Sequence, residues 1–268
     1  MSKKIKICRV FILPGLVFLL VIMSAGCGDS GHIFESDAVI VGADGEPIDL
    51  VNNPSASNPT YALLEAFVKT DTTDNNIYTD YYSCGDFAED VHNNAEAIGI
   101  RAGWVGIFFI GEENGHACNV FQTTDRGLVY IDCTGSNPKE MSVTTPPHNS
   151  ALKKATSWDK VAYLELGREY GLIAINRADS LLYSYYDDYQ QSWQKYEELV
   201  DEYNDEVTQY NDEIEGKVYQ QGSAELARIE AWEKEIEEMK ADLDRMAQEL
   251  GDFRFEPLGI VEDIDIHW

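Results

Sequence analysis

The sequence predicts an α+β fold: an antiparallel sheet with a helix packed on it, and a pair of long helices interposed before the last strand. Three observations predict this. From Cys84, apolar or small residues recur at Phe87, Ala88, Val91, Ala95 and Ile98, the spacing of one helical face, and strand-length apolar segments follow directly. From Leu182 the apolar positions step by threes and fours, with one interruption, as far as Leu250. Beyond it Ile260, Val261, Ile264 and Ile266 alternate in part, as a closing strand would.

Taken in order, residues 1–26 read as a targeting segment. Lys3, Lys4, Lys6 and Arg9 precede the apolar run Phe11–Met23, which is too short for a comfortable membrane span. The run ends on Ser24-Ala25-Gly26-Cys27 and resembles the prokaryotic lipoprotein signal, in which the cysteine, here Cys27, is lipidated and becomes the mature N-terminus. Ordinary secretion with Cys27 merely nearby is the alternative. Either reading puts the mature chain outside the cytoplasm, and the lipid would anchor it to the membrane at the cell surface or in the periplasm. Removing the segment deletes four positive charges and no negative ones, so the formal net charge goes from −28 to −32. Such acidity repels nucleic acid and anionic membrane surfaces.

Residues 27–58 are rich in Gly, Ser, Asp, Asn and Pro and read as a flexible tether. Tyr61–Val68 is expected as a short helix and Asp71–Asn76 as a polar loop. The helix that opens at Cys84 should close at Gly99, a residue free to adopt the left-handed conformation. Strands are expected over Trp104–Ile110, His116–Gln122 and Leu128–Asp132, the last two joined by a hairpin turn at Thr123–Gly127. A long irregular stretch from Gly135 to about Trp158 follows, and then a second hairpin over Val161–Leu166 and Gly171–Ile175. The seam Leu182, Tyr186, Tyr189, Trp193, Tyr196, Val200, Tyr203, Val207, Tyr210 and Ile214 predicts one long helix. Leu226, Ile229, Trp232, Ile236, Met239, Leu243, Met246 and Leu250 predict the second. Gly222 and Ser223 supply a stop and a new N-cap, and Gly216 is placed to end the first helix early. The expected organisation is a signal over 1–26, a tether over 27–58 and a sheet domain over 59–176. A coiled-coil hairpin over 177–251 should project from that domain, and 252–268 should return to the sheet as a strand.

The chemistry concentrates between Cys84 and Asp132. Cys84 lies on the first turn of its helix, where unpaired N–H groups and the helix dipole favour a thiolate. His116 opens one strand of a hairpin and Asp132 closes the other, so the carboxylate can orient the imidazole. The spacings of Cys84, His116, Cys118 and Cys133 are unlike those of structural zinc sites, and no cofactor or metal is called for.

These residues carry a resemblance. Cys84-x-Asp86-Phe87-Ala88, Ala97-Ile98-Gly99-Ile100-Arg101, Gly115-His116-Ala117 and Tyr130-Ile131-Asp132-x-Thr134 resemble the transglutaminase-like superfamily, over roughly residues 60–175. The resemblance implies a papain-like core with Cys84 as nucleophile, His116 as general base and acid, and Asp132 as the orienting carboxylate. It further implies cysteine-dependent acyl transfer on peptide or glutamine amides, with hydrolysis expected over cross-linking. The competing reading is a surface interaction lipoprotein whose coiled coil binds a protein partner while the papain-like core serves as scaffold.

Overall fold

The computed structural model describes residues 42–112, 114–135, 158–251 and 254–268, with the short segments 4–5 and 33–34. Cys27 and most of the expected signal lie outside the described residues, as does the irregular stretch over 136–157.

Helix α1 covers Tyr61–Val68 and is capped by Thr60, whose hydroxyl accepts from Leu63 N at 3.2 Å. The expected polar loop over 71–76 contains a single 3-10 turn, Thr73–Asn75, with Asp74 buried. Helix α2 runs from Cys84 to Ala97, and the Asp86 carboxylate accepts the Ser83 N–H at 2.7 Å to close its first turn. It buries Phe87, Ala88, Val91 and Ala95. Ile98, expected on that face, is instead 65% exposed, because the helix has already ended and the chain turns at Gly99 (φ +84°).

Six strands form an antiparallel sheet: β1 (Gly103–Phe109), β2 (His116–Thr123), β3 (Gly127–Asp132), β4 (Lys160–Tyr163), β5 (Gly171–Ala174) and β6 (Val261–His267). Their order is β6-β1-β2-β3-β4-β5, and Ile33–Phe34 adds a two-residue parallel pairing on the outer edge of β6. The C-terminal strand thus takes a place beside β1, with Val105 opposite Ile266. One core cluster gathers Val105, Ile107, Cys118, Val120, Tyr170, Leu172 and Ile264. A second holds Ala88 of α2 against Trp104 of β1 and Ala117 of β2, with Ile48, Leu50 and Cys84 at its margin.

Residues 42–58, expected as part of the tether, are tied along α2 by its polar side chains. Glu89 accepts Asp49 N at 3.1 Å, Asn93 accepts Val51 N at 2.8 Å, and Glu96 accepts Asn53 N at 2.9 Å. Asn93 also donates to the Asp49 carbonyl at 3.0 Å, and Ser57 bridges to Ile100. A backbone with no regular structure of its own thereby finds partners for its polar groups.

The chain divides into two compact units, with the division inside the third helix between Asp187 and Asp188. The described helical unit holds most of α3 (Tyr183–Ile214) and all of α4 (Ala224–Leu250). Every α3 seam residue from Tyr186 to Ile214 is buried. Leu182, expected as its first member, is 69% exposed, since it precedes the helix. On α4 the buried residues Ile229, Ile236, Leu243 and Leu250 recur every seventh position. Tyr189 Oη donates to the Leu250 carbonyl at 3.0 Å, Trp232 Nε1 to Glu206 at 2.7 Å, and Arg228 to Glu213 at 2.8 Å. Numbers rise on one helix as they fall on the other, so the two run antiparallel. Gly216 sits at φ +71° two residues past the end of α3, and Ser223 caps α4 by accepting Leu226 N at 3.1 Å.

Candidate active site

Cys84 is the first residue of α2 and is half-buried. Its turn is held from two strands. Trp104 Nε1 donates to the Gly85 carbonyl at 3.1 Å, and Asn119 Nδ2 donates to the Ala88 carbonyl at 2.7 Å. The approach loop is anchored on the same helix: the Tyr82 hydroxyl donates to Asp90 and accepts from Asn76 at 2.8 Å, while its ring packs edge-on against Phe87. A side chain on a turn tied to two neighbouring strands has little freedom to swing away.

The hairpin of β2 and β3 brings the other two residues together. Asn119 lies opposite Ile131, so Cys118, one step along, falls opposite Asp132. His116 reaches Asp132 on the diagonal, a span within range of a large side chain. Its Nε2 lies 2.8 Å from Asp132 Oδ2, and both residues are buried. An ionised carboxylate only accepts, so Nε2 carries the proton; Cys84 lies close enough to His116 to couple to it electrostatically. His116, Cys118 and Asp132 therefore share one sheet face, as the alternation of the strands required. Cys118 and Cys133 are both buried and unbridged.

The electrostatics favour charge separation. Burial opposes a proton on His116, yet its neighbours Cys84 and Asp132, with the hydrogen bond to Asp132, outweigh it and hold the imidazole well above its usual range. Burial likewise opposes the Asp132 carboxylate, but Lys160, His116 and the Thr134 N–H hold it far below the ordinary carboxylate range. Burial pushes the Cys118 and Cys133 thiols well up, which keeps both as unreactive neutral thiols.

Two members of this site were missed by sequence reasoning. Lys160 is the direct register partner of Asp132 across β3 and β4, is only 2% exposed, and places its Nζ 3.4 Å from Asp132 Oδ1. It also donates to the Thr134 carbonyl at 2.7 Å. Tyr170 is fully buried, and its hydroxyl donates to Asp132 Oδ2 at 2.8 Å. The only signal for Lys160 was a charged pair, Asp159-Lys160, at the head of an apolar strand, and Tyr170 gave none.

Among the described residues, no group of three or more His, Cys, Asp or Glu side chains is arranged to hold a metal ion, and no helix is long and apolar enough to cross a membrane. Comparison with known proteins finds no matching family model, no matching curated protein and no matching solved structure. The site must be read from its own chemistry.

Proposed function

We propose that this chain is an extracytoplasmic cysteine-dependent acyl-transfer enzyme with a papain-like, transglutaminase-like core and a coiled-coil hairpin, acting on peptide or glutamine amides. In the first half-reaction Cys84 Sγ attacks the carbonyl carbon, the His116 proton passes to the departing amine, the C–N bond breaks and a thioester forms. In the second, His116 takes a proton from water, the new C–O bond forms and the C–S bond breaks, which returns the thiolate–imidazolium pair and releases an acid. An amine in place of water gives transamidation; hydrolysis is the favoured course. The backbone N–H of Cys84, unpaired at the start of α2, supplies one donor to the oxyanion. Lipid on Cys27 would hold the enzyme at the membrane, with a peptide or protein as substrate.

One observation carries this reading: a half-buried cysteine on a helix first turn is electrostatically coupled to a buried histidine whose Nε2 is held at 2.8 Å by a buried aspartate. The test is to incubate the mature protein and its Cys84→Ala variant with a peptide library, with and without a primary amine. Cys84-dependent cleavage supports hydrolysis, and Cys84-dependent amine incorporation supports transfer. Neither, with Cys84 also inert to alkylation, favours the interaction-protein reading.

A further inference from the structure

Asp132 is surrounded by more donors than an orienting carboxylate needs. Oδ2 accepts from His116 and Tyr170, while Oδ1 accepts from Thr134 N at 2.8 Å and faces Lys160 Nζ. Lys160 is almost wholly removed from water, and its ammonium lies 5.5 Å from the Phe255 ring centre. A lysine so buried is rare unless it is paired, and here its ionic partner is the aspartate of the triad. The titratable groups facing the site come from four elements and the segment before β5: Cys84 on α2, His116 and Cys118 on β2, Asp132 on β3, Lys160 on β4, and Tyr170. Beyond Asp132, Cys133 additionally feels Asp159 and Asp71.

Resting on the acyl-transfer reading, we infer that Lys160 is a positioning residue whose buried ammonium balances Asp132 and so allows Cys84 and His116 to stand as a thiolate–imidazolium pair. The argument is a charge count. A thiolate, an imidazolium and a carboxylate together carry one net negative charge in a water-poor setting, and each charge left uncompensated there is costly. The Lys160 ammonium brings the count to zero. Without it the two anions face a single cation. Protonating the thiolate is then the cheapest relief, and the nucleophile is lost at pH values where the balanced site retains it. Tyr170 and Thr134 N hold the carboxylate in place but add no charge, so they orient Asp132 without setting this balance.

The experiment follows alkylation of Cys84 by iodoacetamide against pH in the whole mature protein, by peptide mass spectrometry, for the parent and three variants. Lys160→Gln keeps a donor for the Thr134 carbonyl and removes the charge. Lys160→Gln with Asp132→Asn replaces the ion pair by a neutral pair. Tyr170→Phe removes a donor and keeps every charge. In Lys160→Gln the acid limb, the rise of Cys84 labelling with pH, should move to higher pH by roughly one unit, since a cation near the thiolate is lost. The double variant should bring the acid limb back towards the parent, and Tyr170→Phe should leave that limb in place with a lower plateau. A folded Lys160→Gln protein with an unmoved acid limb overturns the inference, as does a Tyr170→Phe shift equal to that expected for Lys160→Gln. Should the single variant fail to fold, an acid limb in the double variant displaced by a full unit has the same force. If parent Cys84 is labelled only on the alkaline side, as an ordinary thiol is, it is the acyl-transfer reading that fails.

Discussion

Glu96 offers the sharpest test of how α2 is held. Its side chain is 2% exposed and has two separate duties: Oε2 accepts Asn53 N at 2.9 Å, tying the N-terminal strap to α2, and Oε1 accepts Ala102 N at 2.9 Å, fixing the turn into β1. Glu96→Ala removes both acceptors. Ala102 is 1% exposed, so its N–H is left buried without a partner, at a cost of ~1–3 kcal/mol, whereas the Asn53 N–H can turn to water. With the lost charge-assisted bonds the total comes to about 3–5 kcal/mol. Glu96→Gln keeps one acceptor and turns an amide NH2 towards the other donor, so it should cost roughly half as much. Glu89→Ala removes only the partly exposed contact to Asp49 N and should cost at most ~1 kcal/mol. Urea denaturation gives the free energies, and hydrogen exchange at Asn53 and Ala102 shows where they arise. If Glu96→Ala stays within about 1 kcal/mol of the parent and the Ala102 amide stays protected, this account of the strap is wrong.

Further outcomes follow from the same geometry. Cys84→Ala should abolish activity and keep the fold, His116→Ala should lose nearly as much, and Asp132→Asn should retain more, because it orients the base without attacking; steady-state kinetics on a cleaved peptide ranks them. In the helical unit, Trp193 is fully buried between Tyr189 and Tyr196, so Trp193→Ala should cost ~3–5 kcal/mol, while exposed Leu182→Ala should fall within about 0.5 kcal/mol of the parent. The stability supplied by the His116–Asp132 pair depends on pH from both sides. The raised His116 contributes fully below its unfolded value of about 6.5 and loses this as pH rises through its folded value. The depressed Asp132 contributes fully above about 3.9 and loses this as pH falls towards its folded value. The Tm gap between the parent and a His116→Gln variant should therefore be widest between about pH 4 and 6.5 and narrow on either side; a gap that keeps widening above pH 8 refutes the assignment.

Much of the site was legible because its parts are local. Cys84 begins a periodic run, and His116 and Asp132 stand at the far ends of two strands joined by a short turn, so alternation alone placed them on one face. The misplaced residues lie at the ends of such runs: Ile98 and Leu182 keep the period although the backbone has turned away before one and not yet coiled at the other. Lys160 and Tyr170 escaped for a different reason. They meet Asp132 through a strand reached only after the long stretch over 136–157, and nothing in that stretch fixes a register. The strap over 42–58 was read as a tether because its composition is that of a linker. Its partners are polar positions of α2 (Glu89, Asn93 and Glu96) that look from sequence alone like a solvated face.

The central claim is that Cys84 is an activated nucleophile paired with His116. The most direct measurement is the rate of Cys84 alkylation across pH, beside that of Cys118 and Cys133 in the same chain and of Cys84 in a His116→Ala variant. Selective labelling of Cys84 at neutral pH, collapsing in His116→Ala to a slow reaction that rises only on the alkaline side, is the result predicted. Labelling of Cys84 that is confined to alkaline pH and unchanged by His116→Ala would contradict it.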